Sequence, residues 1–337
     1  MTERPPISFI AWAREDSRSK SLSRALDGEF CTFFDFDIQS RPLVPLRYLA
    51  SALRTLTYLI LRRPRAVVIQ SPPVPAAALV WGWARLARVP VVLDTHPASF
   101  EETGVHQVMR PLIRWLVPRA SGCIVTTPRL GDQITRWGGR PVIVHEAPMV
   151  WSDRMRPSDR SAQRRVLFIC TFAPDEPLMQ VLDAARRLPE VEFHITGDRR
   201  RLPPAAAGAA PANVHWTGYL RGDDYVDALG RADVIMSLTT RAESVQRSAY
   251  EAVDALRPLV VSDWPHMRSL FPHAVFVTND GQSIAAGVSE ALVRWQELSG
   301  VVEDARVQQW QRWDRQLHDL GVVVGDTELV TAASPVA

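Results

Sequence analysis

Short apolar segments alternate with longer amphipathic segments along most of the chain. The apolar segments are rich in valine and isoleucine, as in ISFIAWA at 7–13 and PVVLDTH at 90–96. They alternate only weakly between apolar and polar positions, which is typical of parallel strands buried on both faces. Repeated strand–helix–strand patterns predict βαβ units and therefore parallel sheets.

A break in this pattern divides the chain. Residues 147–165 are rich in Pro, Ser, Asp and Arg and lack an apolar period, which indicates a linker between domains. We expect two Rossmann-like α/β domains facing a cleft, residues 1–150 and 163–302, with ligands beyond the carboxyl ends of the strands. Residues 303–337 are expected to form a tail helix that packs on the N-terminal domain, followed by a frayed end.

Composition limits the possible functions. The chain has 337 residues and is 46% hydrophobic, which is enough for a core in each of two domains. A net charge of +2 gives no global attraction to nucleic acid. The three cysteines, Cys31, Cys123 and Cys170, have neither metal-site nor disulfide spacing, which fits a reducing cytoplasm. We find no signal-peptide pattern and no apolar run of about 18 residues, so we expect no membrane span.

Residues 239–263 carry the strongest chemical pattern. We expect Glu243 in a loop after a buried strand, Glu251 on the helix that follows, and Ser244, Val245 and Gln246 at the N-terminus of that helix. Free backbone N–H groups at a helix N-terminus bind phosphate groups well. A carboxylate on either side can accept hydrogen bonds from sugar hydroxyls.

The stretch ESVQRSAYE at 243–251 resembles the Glu-x7-Glu signature of GT-B glycosyltransferases, notably the large retaining family four. The segments FHITG, VHWTGYL, ADVIMSLTTRAES and EAVDALRPLVVSD resemble the same family in order and spacing. VLFICTFAPDEP at 166–177 is closer to a sub-group that includes the mannosyltransferase acting on chitobiosyl-diphospho-dolichol. The resemblance implies sugar transfer from a nucleoside diphosphate sugar to a hydroxyl of a glycan, glycolipid or polyprenyl-linked saccharide.

The resemblance also implies roles for individual residues. Glu251 is expected to bind the ribose hydroxyls of the donor, and Glu243 to face the donor sugar. Backbone groups after the first glutamate would hold the diphosphate. His96, at the end of a strand in the N-terminal domain, would lie near the reacting centre. Tyr219 and Leu220 would adjoin the base.

The sequence departs from the family pattern at the diphosphate site. Thr171 and Glu176 stand near the positions where the family commonly has Arg and Lys, and a carboxylate there would repel a diphosphate. We keep Thr171 as a donor-binding candidate and expect Arg241 or Arg247 to supply the missing charge, since Arg pairs well with phosphate. Arg257 stands where a glycine is expected.

The family further implies catalysis without a metal or cofactor, in which a helix N-terminus and arginines stabilise the leaving diphosphate. Asp35 and Asp37 imitate a metal-binding pair, but the alternating phenylalanines suggest a strand edge. Two other functions stay open: a degenerate GT-B protein that acts as a non-catalytic partner subunit, and a nucleotide-sugar 2-epimerase. Retention or inversion depends on which sub-group the chain follows.

Residues 41–65 combine an apolar helix face with several arginines. One interpretation is an ordinary Rossmann helix that is buried on one side. The other is a helix that lies on an anionic membrane, at the inner face of the plasma membrane, which would suit a lipid-linked acceptor. The apolar face consists of Leu46, Leu49, Leu53, Leu56 and Ile60.

Overall fold

The computed structural model describes residues 5–14, 16–34, 44–100, 104–151 and 164–325. The chain divides into two compact units, and each contains one parallel sheet. Unit 1 comprises the residues up to Ala147 together with those from Gln311 onward, and unit 2 comprises Pro148–Trp310. Asp35 and Asp37 lie outside the described residues.

Unit 1 contains a six-stranded parallel sheet in the order β2-β1-β3-β4-β5-β6. Its strands are β1 (Ile7–Ala11), β2 (Glu29–Thr32), β3 (Ala66–Ser71), β4 (Val91–Thr95), β5 (Gly122–Val125) and β6 (Pro141–Ile143). Its helices are α1 (Ser17–Ala25), α2 (Val44–Arg62), α3 (Val74–Ala87), α4 (Gly104–Leu116) and α5 (Pro128–Arg136).

Unit 2 contains a second six-stranded parallel sheet, in the order β12-β11-β10-β7-β8-β9. Its strands are β7 (Arg164–Phe168), β8 (Val191–Thr196), β9 (Val214–Gly218), β10 (Val234–Ser237), β11 (Leu259–Ser262) and β12 (Val275–Val277). Its helices are α6 (Leu178–Arg187), α7 (Pro204–Ala209), α8 (Gly222–Arg231), α9 (Arg247–Asp254), α10 (Pro265–Leu270) and α11 (Gly281–Val293), and α12 (Trp295–Val323) starts in it.

The two parallel sheets confirm the predicted fold class, and their strands are buried as expected. Every residue of β1 and β4 is buried. Along β3, Val67 and Ile69 pack into the core on one face of the sheet, and Val68 packs into the core on the other. The hydrophobic pattern missed β2, because this edge strand has no fully buried residue.

Helix α12 belongs to both units, because the boundary at Trp310 and Gln311 falls inside it. Its last part packs into unit 1, where Trp313 and Leu317 join the core of β1. Gln316 there accepts a hydrogen bond from the His145 backbone (2.9 Å), and its Nε2 lies 2.9 Å from Nδ1 of that ring. Burial and nearby arginines lower the pKa of His145 to about 3, so its ring stays neutral and can accept this bond.

The leucine stripe of α2 faces solvent. The buried side of the helix instead carries Leu59 and two hydroxyl groups that are hydrogen-bonded. Trp12 Nε1 donates to Thr55 Oγ1 at 2.9 Å, and Ser51 Oγ donates to the Phe33 carbonyl at 3.0 Å. The helix is therefore buried on one side, as an ordinary Rossmann helix is, but most of the leucine stripe lies on the other side and only Leu56 of the stripe is half-buried. The exposed residues are Leu46 (56%), Leu49 (57%), Leu53 (59%) and Ile60 (57%). In the part of the chain described, no helix combines the length and the apolar character needed to span a bilayer.

Asp254, at the end of α9, is hydrogen-bonded to two other segments of unit 2. Each of them lies next to a position where the chain passes from one unit to the other. The Met149 backbone N–H donates to Asp254 Oδ2 at 2.8 Å, and Gln309 Nε2 donates to Oδ1 at 2.8 Å. Burial raises the pKa of Asp254 to about 7, and the charge of Glu251 adds to this rise. The carboxyl group is thus held near its ionisation point at neutral pH.

We expect Asp254 to make unfolding pH-dependent. Its folded pKa lies above an unfolded value of about 4, so the stability it contributes is full below about pH 4 and is lost as pH rises through about 7. Asp254→Asn cannot ionise. Denaturant unfolding should therefore show the stability of the variant rising relative to that of the wild type between pH 5 and pH 8, by about 2.5 kcal/mol. Asp304→Asn, which is exposed on α12, is the matched control. A difference that stays constant with pH contradicts this role.

Candidate functional site

The loop between β10 and α9 places the two glutamates of the sequence pattern. Glu243 lies in the loop and Glu251 lies on α9, which begins at Arg247. Gln246 is the N-cap residue, so Ser244 and Val245 precede the helix. All of these residues follow the carboxyl end of a central strand, the edge where parallel α/β sheets bind ligands.

The Glu251 side chain is 10% exposed, and its carboxylate is held from two sides. Tyr225 Oη, on α8, donates to Oε2 at 2.5 Å, and Arg247 Nε donates to Oε1 at 2.8 Å. Burial and the charge of Glu251 raise the pKa of Tyr225 well above its ordinary value, so its hydroxyl remains a donor. An ionised carboxylate has about four acceptor positions, so two remain for a pair of ligand hydroxyls.

The approach to α9 is fixed by side-chain hydrogen bonds. Ser237 Oγ donates to Gln246 Oε1 at 2.9 Å and shares a hydrogen bond of 2.7 Å with Ser248 Oγ. The Gln246 side chain makes no capping bond to α9. In the first turn of α9, the Ala249 N–H donates to the Gln246 carbonyl at 3.1 Å. This helix end is also the positive end of the helix dipole, which favours an anion.

The loop after β7 binds its own carboxylate. The backbone N–H groups of Thr171 and Ala173 donate to Glu176 Oε2 at 2.9 Å and 2.8 Å, and Cys170 Sγ lies 3.2 Å from the same oxygen. Successive N–H groups that converge in this way form a concave anion site. Glu176 thus fills the donors that an anionic ligand would use at this strand end.

The two arginines predicted for the diphosphate both stand beside carboxylates. Arg247 pairs with Glu251, as described above, and Arg241 Nε lies 3.8 Å from Asp175 Oδ1. Asp175 also accepts a hydrogen bond of 2.9 Å from Thr239 Oγ1, which fixes it against the β10 loop. The Arg241 side chain is more than half exposed, so it can turn to a ligand at little cost.

Tyr219 and Leu220 directly follow β9. Tyr219 is exposed, and the Arg221 guanidinium lies 4.9 Å from the centre of its ring. Leu220 lines a cavity of about 360 Å³ together with Thr217. Tyr219 and Leu220 therefore lie next to each other in the segment that follows β9.

Arg257 is a buried cation that bonds to the end of α8. It is 1% exposed, and its Nη2 donates to the Gly230 carbonyl at 2.6 Å, at the end of α8. A cation is favourable at a helix C-terminus, where carbonyl groups lack partners. Arg257 thereby fixes α8, the helix that carries Tyr225.

In unit 1, His96 lies just after β4, close to a buried ion pair. Its Nε2 is 3.7 Å from Asp94 Oδ2, and Asp94 Oδ1 is 3.4 Å from Arg18 Nε. Arg18 is positioned by α1 and donates to the Val144 carbonyl at 2.6 Å. Asp16 caps α1 by accepting hydrogen bonds from the backbone of its first turn.

These charges set the protonation of His96. Burial raises the pKa of Asp94, but Arg18 and His96 outweigh it and hold that pKa below its ordinary value. Burial and the charge of Arg18 lower the pKa of His96, while Asp94 and Asp16 raise it, and the net pKa is above its ordinary value. His96 can therefore carry a proton near neutral pH and exchange it with a ligand.

The group Asp16, Asp94 and His96 brings its oxygen and nitrogen atoms within 4.8 Å of one another, as a metal site would. It does not fit a metal ion, because Arg18 already balances Asp94. The Arg18 side chain is only 7% exposed, and if it moved away the buried negative charge of Asp94 would have no partner.

Sequence reasoning missed Tyr225, Asp94 and Arg18. Asp94 could have been identified from the sequence, because it precedes His96 by two residues and therefore lies near the same strand end. Tyr225 and Arg18 had none, because their partners are distant in the chain.

Two family models match the chain. The model described as "Glycosyl transferase 4-like domain" matches residues 10–148, and the model described as "Glycosyl transferases group 1" matches residues 163–294. No curated protein sequence matches significantly.

Many solved structures share the fold. Anabaena HepE, in complex with UDP and glucose, is 16% identical with a TM-score of 0.71, over 94% of this chain and 91% of that one. The Thermosynechococcus elongatus sucrose-phosphate synthase is 14% identical with a TM-score of 0.74, over 98% and 100%. The lipopolysaccharide outer core galactosyltransferase WaaB is 13% identical with a TM-score of 0.66, over 95% and 99%.

We expect Asp94→Asn to lower the pKa of His96. The substitution removes the negative charge that favours the imidazolium and leaves Arg18, which opposes it. The decrease should be about one unit or more, measured by NMR titration of the imidazole. Asp132→Asn, which is exposed on α5, should leave the titration unchanged. An unaltered His96 pKa in Asp94→Asn would mean that the two side chains are not coupled.

Proposed function

The chain belongs to the family-four-like glycosyltransferases of the GT-B fold, and we propose that it transfers a sugar from a nucleoside diphosphate sugar to a saccharide hydroxyl. The buried Glu251 carboxylate, held by Tyr225 and Arg247, carries this proposal. UDP-sugars are the first donors to test, because Anabaena HepE is seen with UDP-glucose and Staphylococcus aureus TarM with UDP.

In this proposal unit 2 binds the donor. Glu251 accepts hydrogen bonds from two ribose hydroxyls, and Tyr219 and Leu220 contact the base. The N–H groups at the start of α9 bind the diphosphate. Glu243 faces the donor sugar from the loop before the helix.

Stabilisation of the leaving diphosphate requires no metal ion in this proposal. The α9 N-terminus supplies a fixed positive dipole end, and Arg241 adds a mobile charge. Thr171 and Ala173 can contribute their N–H groups once Glu176 releases them, which makes donor binding an exchange of one anion for another.

Unit 1 binds the acceptor in this proposal. The acceptor is a saccharide, free or attached to a lipid, which places the reaction in polysaccharide or glycolipid assembly on the cytoplasmic side of the membrane. His96 lies at the strand end where a ligand of this sheet binds, and its protonation suits hydrogen bonding to a reacting sugar.

One observation favours a different function, that of a non-catalytic partner subunit. Glu176 occupies the N–H groups that converge after β7, and a carboxylate fixed there would block the diphosphate. The two functions differ in whether a nucleotide sugar binds. The observations give no comparable support to a 2-epimerase.

We also propose that α2 lies on an anionic membrane surface. Its exposed leucine stripe runs along a helix without any acidic residue. Arg47 and Arg54 flank the stripe, and their guanidinium groups lie over the rings of Tyr48 and Phe33. An exposed apolar face bordered by arginines is the pattern of helices that bind in the plane of a bilayer.

The donor site is tested by calorimetric titration with UDP-sugars in EDTA. We expect Glu251→Gln to weaken binding by about 10–100-fold, since hydrogen bonds to a charged group contribute about 1.5–3 kcal/mol. Tyr225→Phe should weaken it less, because Glu251 keeps its charge. Glu303→Gln, exposed on α12, is the matched control.

Two results contradict the assignment of the donor site. Unchanged binding by Glu251→Gln would place the nucleotide elsewhere. A wild type that binds no UDP-, GDP- or dTDP-sugar would favour the non-catalytic partner. A third result concerns the metal: donor binding that is present with added Mg²⁺ or Mn²⁺ but absent in EDTA would contradict the metal-independent scheme.

Membrane contact is tested by co-sedimentation with vesicles that contain anionic lipid. We expect Leu49→Glu with Leu53→Glu to reduce binding at least about tenfold, because each change places a charge in the apolar face. Leu86→Glu, at a position that is even more exposed but lies on α3, should bind like the wild type. Replacing Arg62, Arg63 and Arg65 by Glu should also reduce binding. Equal binding by all of these variants excludes α2 as the contact.

A further inference from the structure

Two histidines and a glutamate lie together on one face of unit 2, on strands β8 and β9. His194 and His215 are paired in the register of the two strands, so their side chains stand next to each other. Glu192 precedes His194 by two residues and therefore points to the same face. None of the three takes part in the donor site proposed above.

The alternation of β8 explains why this face is polar. Val191, Phe193 and Ile195 pack into the main core of unit 2, whereas Glu192 and His194 on the opposite face are only half-buried. Because β9 is the edge strand of the sheet, His215 is half exposed. The three side chains are thus fixed by strands and still reachable from solvent.

The distances between their polar atoms suit a single small cation. Glu192 Oε2 lies 3.2 Å from His194 Nε2, and Glu192 Oε1 lies 3.9 Å from His215 Nε2. All three ligand atoms lie within 4.8 Å of one another. Tetrahedral zinc, with bonds of about 2.0–2.2 Å to nitrogen and oxygen, holds neighbouring ligand atoms about 3.3 Å apart. Small changes in the side-chain torsion angles would bring the three ligand atoms to the spacing that zinc requires.

The donor set indicates the class of metal. Two neutral imidazoles with one carboxylate suit Zn²⁺ and similar transition ions, whereas Mg²⁺ and Ca²⁺ prefer oxygen ligands. A fourth position can be taken by water, because His194 also lines the 360 Å³ cavity beside Leu220.

Arg165 is the competing cation. Its Nη2 lies 3.4 Å from Glu192 Oε2, a long contact, and its side chain is about one-third exposed. Unlike the buried Arg18, which is held by a carbonyl at 2.6 Å, Arg165 can turn toward solvent when a metal binds. This difference separates the cluster from the group around His96, which does not fit a metal.

We propose that Glu192, His194 and His215 form a Zn²⁺ site that fastens the edge strand β9 to β8. The ion would add a link between two strands that are also joined by the backbone ladder and by the hydrogen bond from Thr217 Oγ1 to the Ile195 carbonyl (3.3 Å). Since Tyr219 and Leu220 follow β9 directly, the ion stabilises the segment that leads to the base-binding loop. It takes no part in the transfer reaction.

The test uses the full chain, without an affinity tag and freed of metal by a chelator. We expect Zn²⁺ to bind with one-to-one stoichiometry by calorimetry and to raise the Tm, because it binds only the folded arrangement. Mg²⁺ should do neither. His194→Gln and His215→Gln should each weaken Zn²⁺ binding by at least about tenfold, since even outer-shell changes cost about 10–100-fold.

His318→Gln, which is exposed on α12, controls for adventitious binding by a surface histidine and should bind Zn²⁺ like the wild type. Folding of each variant is checked by circular dichroism, and His215 tolerates change because it is half exposed. In the wild type, Zn²⁺ should shift the NMR resonances of the His194 and His215 rings, a readout that needs no variant. Absence of this shift, undiminished binding in His194→Gln and His215→Gln, or binding lost in His96→Gln instead would overturn the proposal.

Discussion

Parallel strand pairing is the constraint on which the rest of the structure depends. Each strand must be reached by a crossover, so the carboxyl ends of all the strands in a sheet gather at one edge. Strand interiors are buried on both faces, and polar chemistry therefore concentrates at the ends of the strands and in the residues that follow them, as with Asp94 near the end of β4. His96 after β4, Thr171 after β7 and Glu243 after β10 are all products of this rule. The polar face of β8 and β9 is an exception that only an edge of the sheet permits.

At the carboxyl ends of the unit 2 strands, protein carboxylates pair with the N–H groups and arginines that a diphosphate would be expected to bind. Glu176 fills the N–H groups after β7, Asp175 stands by Arg241, and Glu251 holds Arg247. Each pairing satisfies a donor or a cation when no ligand is bound. Under the proposed function, donor binding is therefore an exchange of protein carboxylates for phosphate oxygens.

The glutamate at the centre of the proposed site is supported from well outside it. Arg257 fixes the end of α8, α8 presents Tyr225, and Tyr225 holds Glu251. Three residues further along α9, Asp254 binds the segments next to both chain crossings. Supports of this kind hold a binding carboxylate in one geometry before the ligand arrives, which reduces the entropy lost on binding.

The sequence by itself determined the fold class, the two-part organisation and the loop-and-helix placement of Glu243 and Glu251, because hydrophobic period and short-range spacing are local properties. Tertiary structure decided which face of α2 is buried: Trp12 and Phe33 offer polar partners to Thr55 and Ser51, and Leu46, Leu49 and Leu53 are left exposed. It also decided the partners of Arg241, Arg247 and His96. A local pattern cannot reveal these pairings, because each depends on where the fold brings distant segments together and on which buried charge must be neutralised.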